Sequence, residues 1–394
     1  MARVIPMILF ALVFLTVVGS IHYYIWVRIV KDTALSTPWR QIATGVVVAL
    51  GVSIPLTMFL SRGYPFEAVR NFTWLPYVWL GVMMLLFFFF LTVDMIRLVA
   101  FLGAKAAGAQ PLGADPTRRL FLGRIVAGSA VAVVGGLSSV AVYNAAKKAT
   151  IERVDVSLTR LPPALNGLRI AQISDLHVGI AEGKEWLAKI VARVNELKPD
   201  VVAITGDLID GMVPQLGSHI APLADLKAKH GIYFVTGNHE YYFGVDQWIH
   251  ELQKLDVKVL RNEWVELGEG EDLLYLAGVD DPEGGRMAPG HGQDLKAALK
   301  GMDPKKEVVL LAHQPTVIDE AAANDVGLVL AGHTHGGQIW PFTYLVKMAM
   351  PYNKGLHRHK GRTQIYVNQG TGYWGPPMRL GTKSEITQIT LTRG

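Results

Sequence analysis

Long uncharged apolar stretches in the first 146 residues constrain this chain more than any other feature. Residues 4–27 contain no Asp, Glu, Lys or Arg, and residues 41–60 are also uncharged. Each stretch is long enough to cross a hydrocarbon core of about 30 Å. Because only helices and closed barrels satisfy all their backbone hydrogen bonds inside a bilayer, both stretches are predicted to be membrane helices.

Two further spans are predicted at residues 73–96 and 125–146, which gives an all-α transmembrane domain of about four spans over residues 1–146. Aromatic residues lie near the ends of the spans, as they do at membrane interfaces. A cleaved signal peptide would be an alternative for residues 4–27. Their apolar stretch is longer than the usual signal-peptide core of about 7–15 residues, and no small-x-small cleavage site stands out. Asp94, near the end of the third span, is expected to pair with Arg97.

The loop charges predict the orientation in the membrane. The loops after the first and third spans carry more Lys and Arg than the opposite side. The positive-inside rule then favours a cytoplasmic position for these loops and an extracytoplasmic position for the C-terminal domain. Arg118 and Arg119, before the weak fourth span, resemble an internal twin-arginine export signal. A plain basic cytoplasmic loop explains the two arginines equally well.

Composition narrows the classes of partner and cofactor. The chain has 394 residues and no Cys, so disulfides and thiolate metal sites are excluded. A net charge of +5 could indicate nucleic acid, but basic residues that flank membrane spans explain it more simply. No nucleic-acid partner is therefore predicted, and the sequence leaves the oligomeric state open.

Residues 147–167 are predicted to form a linker and a first strand, and residues 168–394 a second domain. In this domain apolar strands alternate with helical patterns, which is typical of an α/β layered fold. The predicted strands are 168–174, 200–205, 231–236, 257–260, 273–279, 307–312, 327–331, 363–368 and 385–391. The predicted helices are 184–197, 219–229 and 245–254.

Polar residues directly follow five of the apolar runs. The five groups are Asp175 with His177, Asp207, Asn238 with His239, His313, and His333 with His335. Carboxylate, amide and imidazole groups are ligands for Zn, Fe or Mn, and a carboxylate such as that of Asp207 can bridge two ions. Two ions roughly 3.5–4 Å apart can activate water and hold both the attacking and the leaving oxygen in phosphoryl transfer. The pattern therefore favours a two-metal site.

The motifs D-x-H, G-D, G-N-H-E, H and G-H-x-H resemble those of the calcineurin-like metallophosphoesterase family over residues 168–394. The resemblance implies a sandwich of two mixed β-sheets flanked by helices. It also implies two divalent or trivalent metal ions, Mn, Fe or Zn, with manganese used as a first test. The implied ligands of the first ion are Asp175, His177, Asp207 and His335. Those of the second ion are Asp207, Asn238, His313 and His333.

The resemblance further implies a mechanism in which a hydroxide bridging the two metals attacks phosphorus. Asp207 and His239 are the implied catalytic residues, and His239 assists the leaving oxygen. Any one of these histidines alone would more often be an ordinary core or surface residue, but the five motifs occur together. Asp210 and Glu240 are expected to orient imidazoles or loops rather than to bind metal.

The substrate is predicted from the loops near the last motif. Residues 336–350 form an apolar and aromatic run, which is either a loop packed on its own domain or a membrane-dipping loop that admits a lipid. Trp340, Tyr373 and Arg379 are predicted substrate contacts, with Arg379 as a phosphate clamp.

The chain resembles membrane-anchored branches of the family, namely twin-arginine-exported phosphoesterases and UDP-2,3-diacylglucosamine hydrolases of lipid A synthesis. The predicted function is hydrolysis of a phospholipid or lipid-linked phosphate. A UDP-2,3-diacylglucosamine pyrophosphatase and a noncatalytic metal-dependent scaffold stay as alternatives.

Overall fold

The computed structural model describes residues 4–63, 66–109, 115–179 and 182–394. The chain divides into two compact units. The first, here called the helical unit, comprises Met1–Tyr143 and Gly375–Met378. The second, here called the sheet unit, comprises Asn144–Trp374 and Arg379–Gly394.

Four long helices lie in the N-terminal part of the described chain. They are α1 (Val4–Trp26), α2 (Trp39–Gly63), α3 (Phe66–Ala106) and α4 (Pro116–Ala146), and a π-helical turn at Val27–Lys31 prolongs α1. All four are long and apolar enough to cross a membrane. The prediction of four membrane-length helices is therefore confirmed, although α3 and α4 extend beyond the predicted spans.

A buried histidine in the helical unit has both ring nitrogens satisfied. The Nδ1 atom of His22 lies 2.7 Å from the carbonyl oxygen of Val18, and Trp79 Nε1 donates to His22 Nε2 at 2.9 Å. A carbonyl can only accept and an indole N–H can only donate, so Nδ1 of His22 is the donor and Nε2 is the acceptor. The absence of a side chain at Gly51 leaves room for the ring, because a Cβ there would lie 3.1 Å from it. His22 therefore joins three helices.

Asp94 of α3 has closer partners than Arg97, the partner expected from the sequence. Arg28 Nη2 lies 2.6 Å from Asp94 Oδ2, and the Tyr24 hydroxyl donates to the same oxygen. Arg97 is 3.7 Å away. Because residues far apart in the chain supply the two nearest donors, spacing within α3 alone does not reveal them.

Twelve strands and eight further helices form the sheet unit in the described residues. The strands are β1 (Thr150–Leu158), β2 (Arg169–Ile173), β3 (Val201–Thr205), β4 (Ile232–Val235), β5 (Lys258–Val259), β6 (Glu263–Glu269), β7 (Asp272–Gly278), β8 (Glu307–Leu311), β9 (Leu328–Ala331), β10 (Gly355–Arg358), β11 (Gln364–Val367) and β12 (Glu385–Arg393). The helices are α5 (Lys184–Glu196), α6 (Val213–Leu216), α7 (Asn238–Tyr242), α8 (Val245–Lys254), α9 (Gly284–Met287), α10 (Leu295–Ala298), α11 (Ile318–Ala323) and α12 (Phe342–Ala349).

The strands pair in two mixed six-stranded sheets, which confirms the predicted fold class. The orders are β1-β12-β2-β3-β4-β5 and β10-β11-β9-β8-β7-β6. In the first sheet β2 to β5 are parallel, whereas β12 is antiparallel to β2 and parallel to β1. In the second sheet β7, β8, β9 and β11 are parallel, and the two edge strands are antiparallel.

The core between the sheets explains why the central strands are continuous apolar runs. Side chains from both sheets form one buried cluster, including Ile170 and Ala203 from the first sheet and Leu276, Val309 and Leu330 from the second. Every residue of β3 and β8 is buried. Parallel strands covered on both faces need such runs, because no face contacts water.

The structure differs from the sequence predictions in one predicted helix, in two strands and in several short helices. The helices α6, α7 and α9 to α12 were not predicted, and α12 (Phe342–Ala349) lies in the run that was expected to be a loop. The helix predicted at 219–229 is replaced by two short 3₁₀ segments, Gly217–His219 and Ala221–Asp225. Pro222 lacks the N–H that a continuous helix needs, and Leu226 is extended at ψ 142°. The strands β6 and β10 were not predicted, because they lie at the edges of the second sheet and bury few side chains.

Candidate metal centre

The donor groups follow β2, β3, β4, β8 and β9, at the ends of parallel strands. The backbone turns sharply there, because Asp175, His177, Asp207, His333 and His335 all have positive φ between 46° and 70°. They are five of the eleven described non-glycine residues with this conformation. A left-handed backbone at such residues costs about 1–3 kcal/mol each and is concentrated at functional sites. These five strained turns therefore lower the stability of the fold, and they set the direction of the donor side chains.

Two glycines allow the loops to approach one another. A Cβ atom at Gly237 would overlap Asp207 Oδ1, and one at Gly332 would overlap Ser174 Oγ and Asp175 Oδ2. Both glycines stand directly before donor residues in the chain, as expected from the sequence. Their role is close backbone packing against a carboxylate, so any larger residue would push the donors apart.

The first group of donors contains Asp175, His177 and His335, whose ligand atoms lie within 4.8 Å of one another. His177 Nε2 is 3.1 Å from His335 Nε2, and His335 Nε2 is 3.4 Å from Asp175 Oδ1. Metal–nitrogen bonds of about 2.0–2.1 Å in a tetrahedral site place ligand atoms roughly 3.3 Å apart. These separations therefore fit the ligands of one ion.

The second group contains Asp207, His313 and His333, which also lie within 4.8 Å. His313 Nε2 is 3.2 Å from Asp207 Oδ2 and 3.1 Å from His333 Nδ1. Asn238 Oδ1 is 3.2 Å from the same His313 nitrogen. A carbonyl-type oxygen, a carboxylate and two imidazoles thus converge on one point, which is a suitable donor set for Zn, Fe or Mn.

Asp207 lies close to both groups of donors. Its Oδ2 atom lies 3.8 Å from His177 Nε2 in the first group and 3.2 Å from His313 Nε2 in the second. The other oxygen, Oδ1, accepts from the backbone N–H of His239 at 2.8 Å. The carboxylate is therefore fixed by the backbone on one side and directed between the two donor groups on the other.

Asp175 and Asp207 are buried, so positive charge nearby must balance their negative charges. Asp175 has an exposed fraction of 0% and Asp207 of 3%. Their ion-pair partners among the described residues are all histidines. Burial disfavours ionised Asp207, but His313 and His239 outweigh it and hold the pKa of Asp207 well below its usual range. A bound cation would compensate buried carboxylates of this kind directly.

The imidazoles of the last motif are neutral and able to bind metal. Burial, with His313 next, lowers the pKa of His333 to about 3, and burial with His177 lowers the pKa of His335 well below its usual value. For His313, burial is outweighed by Asp207, which raises the pKa well above its usual value. Because metal binds the neutral form, binding at His313 would release a proton.

Asp210 orients two imidazoles at once. Its Oδ1 atom accepts from His177 Nδ1 at 2.9 Å and from His239 Nδ1 at 2.6 Å. Both rings therefore present Nε2 to the site. Burial lowers the pKa of His239, but Asp207 and Asp210 outweigh it and raise that pKa to about 9. When protonated, His239 therefore presents the N–H of Nε2 toward Asp207, whose Oδ2 atom lies 3.9 Å away.

Glu240 fixes the loops that follow β3 and β4. Its Oε2 atom accepts from the N–H of Gly237 at 2.6 Å and of Asp207 at 3.1 Å, while Oε1 accepts from Leu208 N at 2.8 Å. Burial, together with Asp207, raises the pKa of Glu240 to about 7. All its described contacts are to backbone N–H groups, so it holds the ligand loops, as expected for a residue that does not bind metal.

Arg379 lies inside the domain rather than at the rim of the site. Its guanidinium is fully buried, and Nη2 donates to the carbonyl oxygens of Gln369 and Gly370 at 2.9 and 3.1 Å. The same nitrogen is 3.5 Å from His335 Nδ1, and burial lowers the pKa of Arg379 to about 10. These contacts favour a role in holding the 369–372 loop behind His335. The geometry does not favour a phosphate clamp.

The other two predicted substrate contacts differ in exposure. Tyr373 is 9% exposed and Trp340 is 48% exposed. Three other aromatic residues surround the His239 ring: Tyr242 at 5.3 Å, Phe243 at 6.1 Å and Trp374 at 6.1 Å between ring centroids. Tyr242 and Trp374 are 48% and 57% exposed.

From the sequence, residues 368–379 are expected to form a rim loop, but Tyr373 was chosen there instead of its neighbour Trp374, and Tyr242 and Phe243 were not singled out. Gln338 holds Trp374 in place, because its side-chain amide donates to Trp374 O at 2.9 Å and accepts from Trp374 N at 3.0 Å. Gln338 ends the Gly-Gly-Gln sequence after the last histidine pair. The contact spans 36 positions, so no local pattern reveals it. The aromatic pair Tyr242-Phe243, soon after His239, was the available signal.

Comparison with known proteins agrees with the geometry. Residues 168–337 match the family described as calcineurin-like phosphoesterase. A "Transmembrane protein with metallophosphoesterase domain" of Danio rerio is 36% identical over 405 residues, which cover 98% of this chain and 90% of that protein. The protein of the same name from Bos taurus is 37% identical over 96% of this chain and 87% of its own length. An "Uncharacterized metallophosphoesterase" of Campylobacter jejuni is 31% identical over 98% of both chains.

Fold, donor set and relatives together define a metal-dependent phosphoesterase, a hydrolase, with membrane-spanning helices. The chain belongs to the calcineurin-like phosphoesterase family. The resemblance stated from the sequence motifs is thereby confirmed.

Proposed function

We propose that this protein is a two-metal phosphoesterase that hydrolyses a phospholipid or another lipid-linked phosphate ester. The observation that carries the proposal is the position of the Asp207 carboxylate between two groups of donors. Asp175, His177, Asp207 and His335 would hold one ion. Asp207, Asn238, His313 and His333 would hold the other. All the donor atoms are oxygen or nitrogen, which suits Mn, Fe or Zn.

Bound metal ions would supply a hydroxide nucleophile at neutral pH and neutralise charge on the phosphate oxygens. The chain itself supplies the proton for the leaving oxygen. His239 carries that proton on Nε2, and its Nδ1 is held 2.6 Å from Asp210. A group whose pKa lies near or above neutral pH is suited to act as a general acid. His239 is therefore the residue that assists departure of the alcohol.

The aromatic rim supports a substrate with an apolar part. Tyr242 and Trp374 expose about half of their surface beside His239, the side from which a leaving group would depart. Exposed aromatic side chains at a polar site are suited to contact acyl chains or a ring of the substrate. The chain also carries four membrane-length helices among its described residues, so lipid substrates are locally concentrated.

The proposed location rests on the loop charges and on the resemblance. The sheet unit is proposed to lie on the extracytoplasmic side, because the loops after α1 and α3 carry the larger number of basic residues. The membrane is proposed to be a bacterial inner membrane, in line with the membrane-anchored branches that the sequence resembles. A cytoplasmic sheet unit would instead favour the second candidate, hydrolysis of UDP-2,3-diacylglucosamine. A topology reporter after Gly394 separates the two candidates.

The test uses the full-length chain purified in detergent and loaded with Mn²⁺, Fe²⁺ or Zn²⁺. We expect metal-dependent hydrolysis of bis-p-nitrophenyl phosphate and faster turnover of a phospholipid in mixed micelles. His250→Gln, on the exposed surface of α8, is the matched control for His239→Gln. A chain that binds two ions but hydrolyses neither these substrates nor UDP-2,3-diacylglucosamine would leave only the noncatalytic scaffold.

A further inference from the structure

Helix α12 exposes its apolar side chains instead of burying them. None of its residues is buried, and Tyr344, Leu345 and Met348 are 61%, 46% and 84% exposed. Helix α5 shows the ordinary arrangement, because Leu187, Ile190, Val191 and Val194 are all buried. An apolar helix face left open in this way marks a surface that something else covers.

A basic strand follows α12 in the chain. Between Lys354 and Lys360, exposed residues alternate with half-buried ones, and the exposed set is Lys354, Leu356, Arg358 and Lys360. Arg358 lies in β10 at the edge of the second sheet, and Lys354 and Lys360 flank that strand, so three exposed basic side chains occur in and beside this edge strand. Lys360 pairs with Asp319 at 2.6 Å. No salt bridge within the described residues joins an acid to Lys354 or Arg358.

The segment is fastened to the metal-ligand turn at both ends. Thr334 Oγ1, between the two ligand histidines, donates to Asn353 O at 2.7 Å. At the other end, Gly337 packs so closely that a Cβ there would overlap the backbone of Thr343. A surface that contacts α12 would therefore hold the His333–His335 turn at a fixed depth.

We propose that residues 340–360 form a second membrane-binding element, with α12 in the interface of an anionic bilayer and the basic residues in and beside β10 at the lipid headgroups. Exposed Trp, Tyr and Leu side chains are the residues that enter the bilayer interface, and Lys347 on α12 can extend to the headgroups. Lysine and arginine near an anionic leaflet add electrostatic attraction.

Two observations favour a lipid bilayer as the surface that covers α12. Only residues 147–149 separate α4 from β1, so the sheet unit stays tethered at the membrane. The exposed face also combines an apolar helix with unpaired cations, which matches the layered chemistry of an anionic lipid surface. The proposal rests on membrane anchoring and not on hydrolysis, so an inactive site would leave it standing.

The absence of cysteine allows a direct test in the full-length chain. A single cysteine is introduced as Met348→Cys on α12 or, as the matched control, as Ala192→Cys on the exposed side of α5. Each is labelled with an environment-sensitive fluorophore and reconstituted in nanodiscs of phosphatidylcholine with or without phosphatidylglycerol. Nitroxide-labelled lipids then report contact with acyl chains.

We expect the label at residue 348 to shift to shorter wavelength and to be quenched by the nitroxide lipids, with stronger quenching in anionic discs. The label at residue 192 should show neither effect. Reversing the charges with Lys354→Glu and Arg358→Glu should reduce quenching at residue 348 by about half in anionic discs only. A water-like spectrum at residue 348 would overturn the proposal. So would a shifted spectrum without nitroxide quenching, because a protein surface would then cover α12.

Discussion

Histidine has opposite roles in the two units of this protein. In the helical unit, His22 is buried with one nitrogen bonded to a carbonyl and the other to an indole N–H, both neutral partners. In the sheet unit, His177 and His335 bring their Nε2 atoms to 3.1 Å, and His333 and His313 approach to the same distance. The first arrangement is complete by itself. The second gathers ring nitrogens around points where a cation fits.

The comparison shows that the neighbours of a polar residue decide its role. The residue either stabilises the fold or takes part in metal binding and catalysis. Asp94 in the helical unit is paired with Arg28 and Tyr24. Asp175 and Asp207 in the sheet unit have only histidine partners among the described ion pairs. Substitutions in the sheet unit should therefore change metal content and rate, whereas those in the helical unit should change stability.

The largest effect is expected for Asp207→Ala. Loss of the carboxylate between the two donor groups should remove metal and lower kcat/KM about 10³-fold or more, because metal stabilisation of the transition state is worth several kcal/mol. Mass spectrometry measures the metal content, and hydrolysis of bis-p-nitrophenyl phosphate measures kcat/KM. Asp200→Ala, at the opposite end of β3, is the control and should keep its metal. Retention of two ions in Asp207→Ala would contradict the bridging position.

His239→Gln should separate proton transfer from metal binding. We expect turnover to fall about 10²–10⁴-fold, the usual contribution of a general acid, with unchanged metal content. Substrates with a better leaving group should lose less, since they need less protonation. An equal loss for all leaving groups would assign His239 a binding role instead.

A smaller effect is expected for Asp210→Asn, which weakens the orientation of His177 and His239. Such outer partners of metal ligands usually contribute about 10–100-fold in affinity or activity. Because Asp210 raises the pKa of His239, its loss should also move the alkaline limb of the pH–rate profile to lower pH. Asp246→Asn is the control, since Asp246 is exposed and pairs with His291. A purely structural role for Asp210 would leave the limb in place.

The smallest effect on activity is expected in the helical unit. His22→Leu removes the acceptor of Trp79 Nε1, which should destabilise the helices by about 1 kcal/mol, as for single polar contacts between membrane helices. Unfolding in mixed detergent micelles measures this, and metal content and kcat should stay within about twofold. A large loss of metal in His22→Leu would remove the distinction between the two units.

Sequence reasoning was most successful where a local pattern carries the information. The apolar spans have the length of a bilayer, and the donor residues stand directly after buried strands such as β3 and β8. Both features can be read in a short window of sequence. The motifs around Asp175 and His333 also fixed the order of the donor groups along the chain.

Features that depend on distant partners were missed. The rim at Trp374 depends on Gln338, and the buried position of Arg379 depends on carbonyl groups that the 369–372 loop turns inward. The strand β10 has no apolar run, because it lies at a sheet edge. In each case tertiary packing decides the outcome, and spacing along the chain does not contain it.

The last strand of the chain lies between the first two strands of the sheet unit, because β12 pairs with β1 on one side and β2 on the other. The first sheet therefore cannot form completely until β12 has been synthesised. The helices α1 to α4 precede every strand of this sheet in the chain, so they are synthesised while the sheet is still incomplete. A truncation that removed β12 would detach β1, the strand that follows α4, from the other four strands of the first sheet, including β2, which leads to Asp175.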